Sequence, residues 1–274
     1  MFMRGWQGLT TPTTAAYNLA HKHKQKVTKS VRRFMKILGT LVLIVSGLAI
    51  GVCRLGATTY SDTTGDLNSS PGDNFSSFTH LDLIGAEITN TPTDIFFTIA
   101  VAQSSITSPN DWGNYMIGID SVAGGSTTGG NPGNAWTRPI SMSSGMDYWL
   151  GSWVNSGGGR QVWSWNGSGW NGPASAGVSI SGNSVTFSTS LASLGLSPGN
   201  TFAFDIYSSG GGSGDSAVDA LADPSISIST WGQAYNSGSL VYSYTVTPIP
   251  EPATFALAGL GGLLMIQRFV RRRA

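Results

Sequence analysis

Residues 148–165 read YWLGSWVNSGGGRQVWSW, two short aromatic runs separated by a glycine-rich stretch. Side chains in a strand repeat every two residues, so Trp149 and Trp153 share one face of the first run, and Trp163 and Trp165 share one face of the second. The intervening Asn155 to Gly159 is a natural hairpin loop, and the whole predicts an antiparallel pair. With Val154 set against Arg160, Trp149 lies opposite Trp165 and Gly151 opposite Trp163, which puts all four indoles on one face. Two placements of that face are open. As an aromatic platform it would receive the apolar C–H face of a sugar ring, with Asp147, Asn166, Arg160 and Gln161 reaching the hydroxyls. As the domain core it would leave Tyr148, Leu150 and Val154 outside, aromatics being ordinary interior material.

The same punctuation extends in both directions. Short alternating or apolar runs at His80–Thr89, Asp94–Ala102, Tyr115–Asp120, Tyr148–Val154, Arg160–Trp165, Val178–Ile180, Ser184–Ser188, Thr201–Ser208, Ile226–Ser229 and Val241–Val246 are bounded by Gly, Pro, Asn and Asp clusters. About ten strands without a fixed-period repeat predict an all-β fold, an antiparallel β-sandwich. Leu191 to Leu196 is the best place for a helical turn.

Composition limits what such a domain can do. Of 274 residues, 37 are Gly, 12 are Pro, one is Cys and 11% are charged, too few charges and helix formers for an ordinary cytosolic enzyme and too few cysteines for a disulfide scaffold. The near-zero net charge conceals a strong partition. Outside residues 58–247 there are thirteen bases and one acid, Glu251; inside, the only bases are Arg138 and Arg160, against twelve Asp and Glu87. A domain eleven charges negative does not neutralise phosphates, so nucleic acid is excluded as a partner.

Signals for catalysis are thin: residues 58–247 hold one His, His80, inside a predicted strand, and there is no nucleophile elbow, zinc spacing or phosphate loop. No catalytic residues are assigned. The acids suggest a cation. Asp62, Asp66 and Asp73 lie in SDTTGDLNSSPGDN, and Asp215, Asp219 and Asp223 lie in GGGSGDSAVDALADP. Hard oxygen ligands on loops suit a structural Ca²⁺, although neither spacing is that of an EF-hand and Asp also favours turns for its own sake. The first of these loops is the preferred site.

The two ends carry an address. Ile37 to Val52 reads ILGTLVLIVSGLAIGV after Arg32, Arg33 and Lys36, the layout of a signal peptide over residues 35–57 with cleavage near Ala57. The run also approaches the length of a membrane anchor. Residues 1–34, with the basic stretch HKHKQKVTKSVRR, are either a misassigned start or a long basic n-region. Export in this way requires the Sec translocon and signal peptidase. At the far end, over residues 248–274, Pro250, Glu251 and Pro252 precede ATFALAGLGGLLMI, then Arg268 and the cluster Arg271, Arg272 and Arg273. Prolines bracketing one acid hold the chain extended, the apolar run is short for a span, and the arginines favour the cytoplasmic side. These features predict a C-terminal membrane helix that tethers the chain beside a cut site.

This tail resembles the PEP-CTERM sorting tails of Gram-negative bacteria. The resemblance implies transient anchoring in the inner membrane, processing by exosortase at or near Pro250–Pro252, and delivery to the cell surface or extracellular polysaccharide matrix. The order HLDLIGAEITN, DIFFTIAV, DWGNYMIGID, MDYWLGSWV, VWSWNGSGW, SLASLGL, TFAFDIY and GDSAVDAL is similar to exported β-sandwich modules of the family-9 carbohydrate-binding, glucodextranase C-domain and DOMON-like type. Such modules bind sugars, haem or no known ligand, a choice that fold alone does not make, and the expectation is an exported module that binds extracellular polysaccharide. A structural matrix protein with no discrete ligand, or less readily a polysaccharide hydrolase, are the alternatives.

Overall fold

A computed structural model describes residues 56–107, 111–127, 133–154 and 159–249, with scattered residues between 259 and 271. Arg54–Glu251 make one compact unit, separate from the two ends of the chain. Its elements are β1 (Gly56–Ser61), β2 (Leu83–Asn90), β3 (Asp94–Val101), β4 (Asn114–Asp120), β5 (Ile140–Ser141), β6 (Tyr148–Trp153), β7 (Arg160–Trp165), β8 (Trp170–Ser175), β9 (Gly177–Ser181), β10 (Ser184–Ser190), β11 (Thr201–Ser209), β12 (Asp219–Ala220), β13 (Tyr235–Asn236) and β14 (Tyr242–Thr245). One sheet runs β1-β2-β3-β10-β9. The other runs β12-β11-β4-β6-β7-β8, with β14 beside β12 on the free edge of β11. Pairing in both is antiparallel; the two-residue pair β13-β5 is parallel.

The two large sheets form a sandwich-like arrangement around one shared core. Ile88, Phe97, Ile99, Val185 and Phe187 come from the first sheet, and Ile117, Ile119, Leu150, Val162, Phe202, Phe204 and Ile206 from the second. The alternation that predicted the strands therefore also selects the core face. Leu191–Leu194 form a 3₁₀ turn ended by Gly195 in the left-handed conformation, where the helical turn was expected.

Several boundaries differ from expectation. Strand pairing begins at Gly56, which lies opposite Asn90, so β1 takes in the last two residues of the expected signal segment. β8 was not anticipated, because its Gly and Pro read as loop. Ile226–Ser229 is not a strand; Ile228 instead plugs a second apolar cluster with its side chain. That cluster lies on the outer face of the second sheet. Met116, Trp149 and Tyr207 are roofed by Leu67, Phe75, Leu81, Ile140, Met142, Met146, Val218 and Tyr235 from loops and short strands. The expected signal helix falls on residues outside those described. In the tail the described residues Gly259, Gly261, Gly262, Leu264, Met265, Gln267, Arg268 and Arg271 are helical, and among the described residues no helix is long and apolar enough to cross a membrane.

Candidate functional site

The tryptophan hairpin forms with its parity intact and its register moved by two residues. Ser152, not Val154, lies opposite Arg160, and Trp149 lies opposite Trp163. All four indoles do share one face, and it is not the face of the core between the sheets. Leu150 and Val154 point into the core between the sheets, while the indoles stand on the opposite side, where Trp149 and Trp163 pack in the second cluster under the loop layer. Trp149 is 0% exposed, stacked on Tyr207 with centroids 6.0 Å apart, and no ligand can reach it. Trp165 pairs with Trp170 at the far end of the hairpin.

Beside the buried Trp149 the roof opens. A cleft of about 510 Å³ is lined by Asn114, Trp136, Arg138, Trp153, Gln161, Gly211 and Ser213. Trp136 comes from the loop before β5, and it lies against the bare backbone of Gly151; any Cβ there would collide with its ring. Its ring is 5.9 Å from that of Trp153, inclined at 50°. Gln161 ties the aromatic wall together: its Oε1 accepts the indole N–H of Trp136 at 2.6 Å and that of Trp163 at 2.9 Å. Because the oxygen is committed twice, the amide orientation is fixed, and the NH₂ of Gln161 is left to donate.

The loop that carries Trp136 is tightly specified. Asn134 Oδ1 accepts the backbone N–H groups of Trp136 and Arg138, and its Nδ2 donates to the carbonyls of Arg138 and Ile140. Thr137, between the two lining residues, has φ 57°, a left-handed conformation that a β-branched residue adopts only at a cost. The Arg138 guanidinium lies 5.7 Å from the centre of the Trp136 ring and donates to Ser209 Oγ and to the carbonyls of Gly210 and Asp215. Trp136 and Asn114 were not found from sequence. The signal was there in NAWTRP, a tryptophan held between an Asn and a Pro in an otherwise small-residue loop.

The remaining expected ligand contacts, Asp147, Asn166 and Arg160, are not among the residues that line the cleft. Asp147 Oδ2 accepts from the backbone N–H groups of Ser121 and Val122, closing the turn after β4. Arg160 has the parity of Val162, so it sits on the face opposite the indoles.

The acidic loops are partly brought together. Asp62, Asp66 and Asp219 converge, each offering an oxygen within 4.8 Å of the others. Burial, with repulsion from Asp66, Asp205 and Asp82, pushes Asp62 up to about 8. Burial, with Asp82 and Asp223, pushes Asp66 up to about 6. Asp219, 1% exposed, is raised well above the usual carboxylate range by burial and by Asp62 and Asp66. Asp73 stands outside this cluster and accepts the backbone N–H of Trp231 at 3.0 Å. Asp215 also stands apart, closing its own turn onto the Gly212 N–H at 2.7 Å.

Residues 248–273 match the PEP-CTERM protein-sorting motif. The motif marks an exported, surface-directed protein and makes exosortase its sorting partner. No curated protein matches the chain. Of the sorting residues, Pro250, Glu251, Pro252, Arg272 and Arg273 lie outside the described residues, while Arg268 and Arg271 are exposed.

Proposed function

We propose that the exported unit binds neutral extracellular polysaccharide in the cleft between Trp136 and Trp153. The observation that carries this is the pairing of two inclined indoles with an oriented amide, Gln161, in one open cleft. Indole faces stack on the apolar side of a pyranose while a fixed NH₂ donates to its hydroxyls, the usual mixture in a sugar or small-ligand site. Strain at Thr137 supports the choice, since strained backbone collects where side chains must be held for a ligand. The surplus of acids over the whole unit favours neutral chains over uronic acid polymers.

Affinity electrophoresis of the full chain through gels containing either a neutral glucan or a polyuronate tests this. Retardation by the neutral polymer, little changed by salt, is expected. Trp153→Ala should weaken it about tenfold, equivalent to about 1.4 kcal/mol, with the thermal transition preserved. A folded wild-type protein that no neutral glycan retards would sink the proposal and favour a structural surface protein without a discrete ligand.

A further inference from the structure

The acid cluster carries a second inference, independent of the cleft. Asp62 directly follows β1 at the edge of the first sheet, and Asp219 opens β12 at the edge of the second. Asp66 joins them from the turn after Asp62. In Asp62 one oxygen accepts the Thr63 N–H at 2.7 Å; the other, and both oxygens of Asp66, are closed off from solvent with no donor from any other residue. Asp219 takes one backbone N–H on each oxygen, from Leu83 at 2.6 Å and Ala220 at 2.8 Å, which fixes its carboxylate and leaves lone pairs free. The neighbouring side chains whose charges act on the trio are acids, Asp82, Asp205 and Asp223. Asp62 and Asp66 are half-buried, but carboxylate oxygens shut off from water without donors are costly unless a cation pairs them.

We infer that Asp62, Asp66 and Asp219 hold one calcium ion that staples the first sheet to the second. The ligand set is all oxygen, with no nitrogen or sulfur to favour zinc. Two oxygens on opposite sides of a calcium with bonds of about 2.4 Å stand about 4.8 Å apart, the limit within which these ligand atoms fall. Three carboxylates, any of them bidentate, supply three to six of the six to eight oxygens the ion takes, and water completes the shell. Asp82 does not join: both its oxygens face the Gly65 N–H, and its role is to position the turn that carries Asp66.

The test is calorimetric titration of the chelator-stripped full chain with CaCl₂ and separately with MgCl₂, with thermal melting in EDTA and in about 1 mM calcium, an extracellular level. Expected are one calcium per chain, much weaker magnesium binding, and a melting temperature raised by several degrees in calcium. Asp66→Asn should weaken calcium binding at least tenfold, yet melt above the wild type in EDTA, because it removes a buried carboxylate without a donor. Asp215→Asn should bind calcium as the wild type does. Absence of saturable calcium binding by folded protein, preference for magnesium, unchanged affinity in Asp66→Asn, or an Asp66→Asn protein that melts below the wild type in EDTA would each overturn the assignment.

Discussion

Asp205 shows how much this fold asks of a single residue. It is 0% exposed in the middle of β11, where Oδ1 accepts the N–H groups of Ile206 and Ala222 and Oδ2 accepts the Ser237 hydroxyl at 2.6 Å. Burial pushes its carboxyl up to about 7, and Asp223 adds repulsion. Asp62 and the hydroxyls of Tyr207, Tyr235 and Tyr242 are the other titratable groups that feel it. The folded state then holds a proton that the unfolded chain releases near pH 4. Stability from this residue is fully present below that point, falls as pH rises toward 7, and is level above. Between pH 5 and pH 8 the loss is about 2–3 kcal/mol. Asp205→Asn keeps a neutral amide in place of the acid and should lose correspondingly less. Urea unfolding of both proteins at the two pH values, in chelator, measures the difference; equal losses would place the titrating group elsewhere.

At the scale of elements, the hairpin β6-β7 is where sequence and structure can be compared most closely. The shared face of Trp149, Trp153, Trp163 and Trp165 was legible, because parity survives any even shift of register. The register itself was not, since it is set by loop length, and a Gly-rich loop leaves that undetermined. What covers the face was also hidden: Leu67, Phe75, Met142 and Tyr235 come from segments without strand periodicity, and Ile228 from a run that reads as a strand and is not one, so local pattern says nothing of their destination. The acids behave alike. Asp62 and Asp66 are near in sequence, but Asp219 arrives only through the pairing of β12 with β11. Gly151 is the hinge of the arrangement, the flat floor on which Trp136 lies. Gly151→Ala should displace that ring, break its bond to Gln161, cost about 1–3 kcal/mol of stability by overpacking, and weaken glycan retention together with it. Chemical denaturation and the gel assay read both, and an unchanged protein would show that Trp136 does not depend on that floor.

For the whole molecule the two ends of the exported unit matter most, and they meet at Asn90. This residue, 0% exposed, donates to the carbonyls of Thr91 and Thr247 and accepts from Thr247 N–H and the Tyr244 hydroxyl. The Gly56 carbonyl lies 3.0 Å from the same hydroxyl and shares its one hydrogen with Asn90, so the chain enters and leaves the unit side by side. Cutting the chain after Thr247 therefore leaves the fold's closing contacts in place. The charge partition follows the same line: thirteen of the fifteen bases lie outside residues 58–247, and the acids, one excepted, lie within. The sorting motif at 248–273 begins after the last strand, β14, which ends at Thr245. Intact mass of the protein recovered outside the cell should end near Glu251, and replacing Pro250 and Pro252 together with Ala should leave the chain in the membrane fraction with its arginines attached. Released material that still carries Arg271, Arg272 and Arg273 would contradict sorting through this tail. Cleavage so placed would free an acidic unit, whose retention at the surface would then rest on the cleft rather than on the membrane.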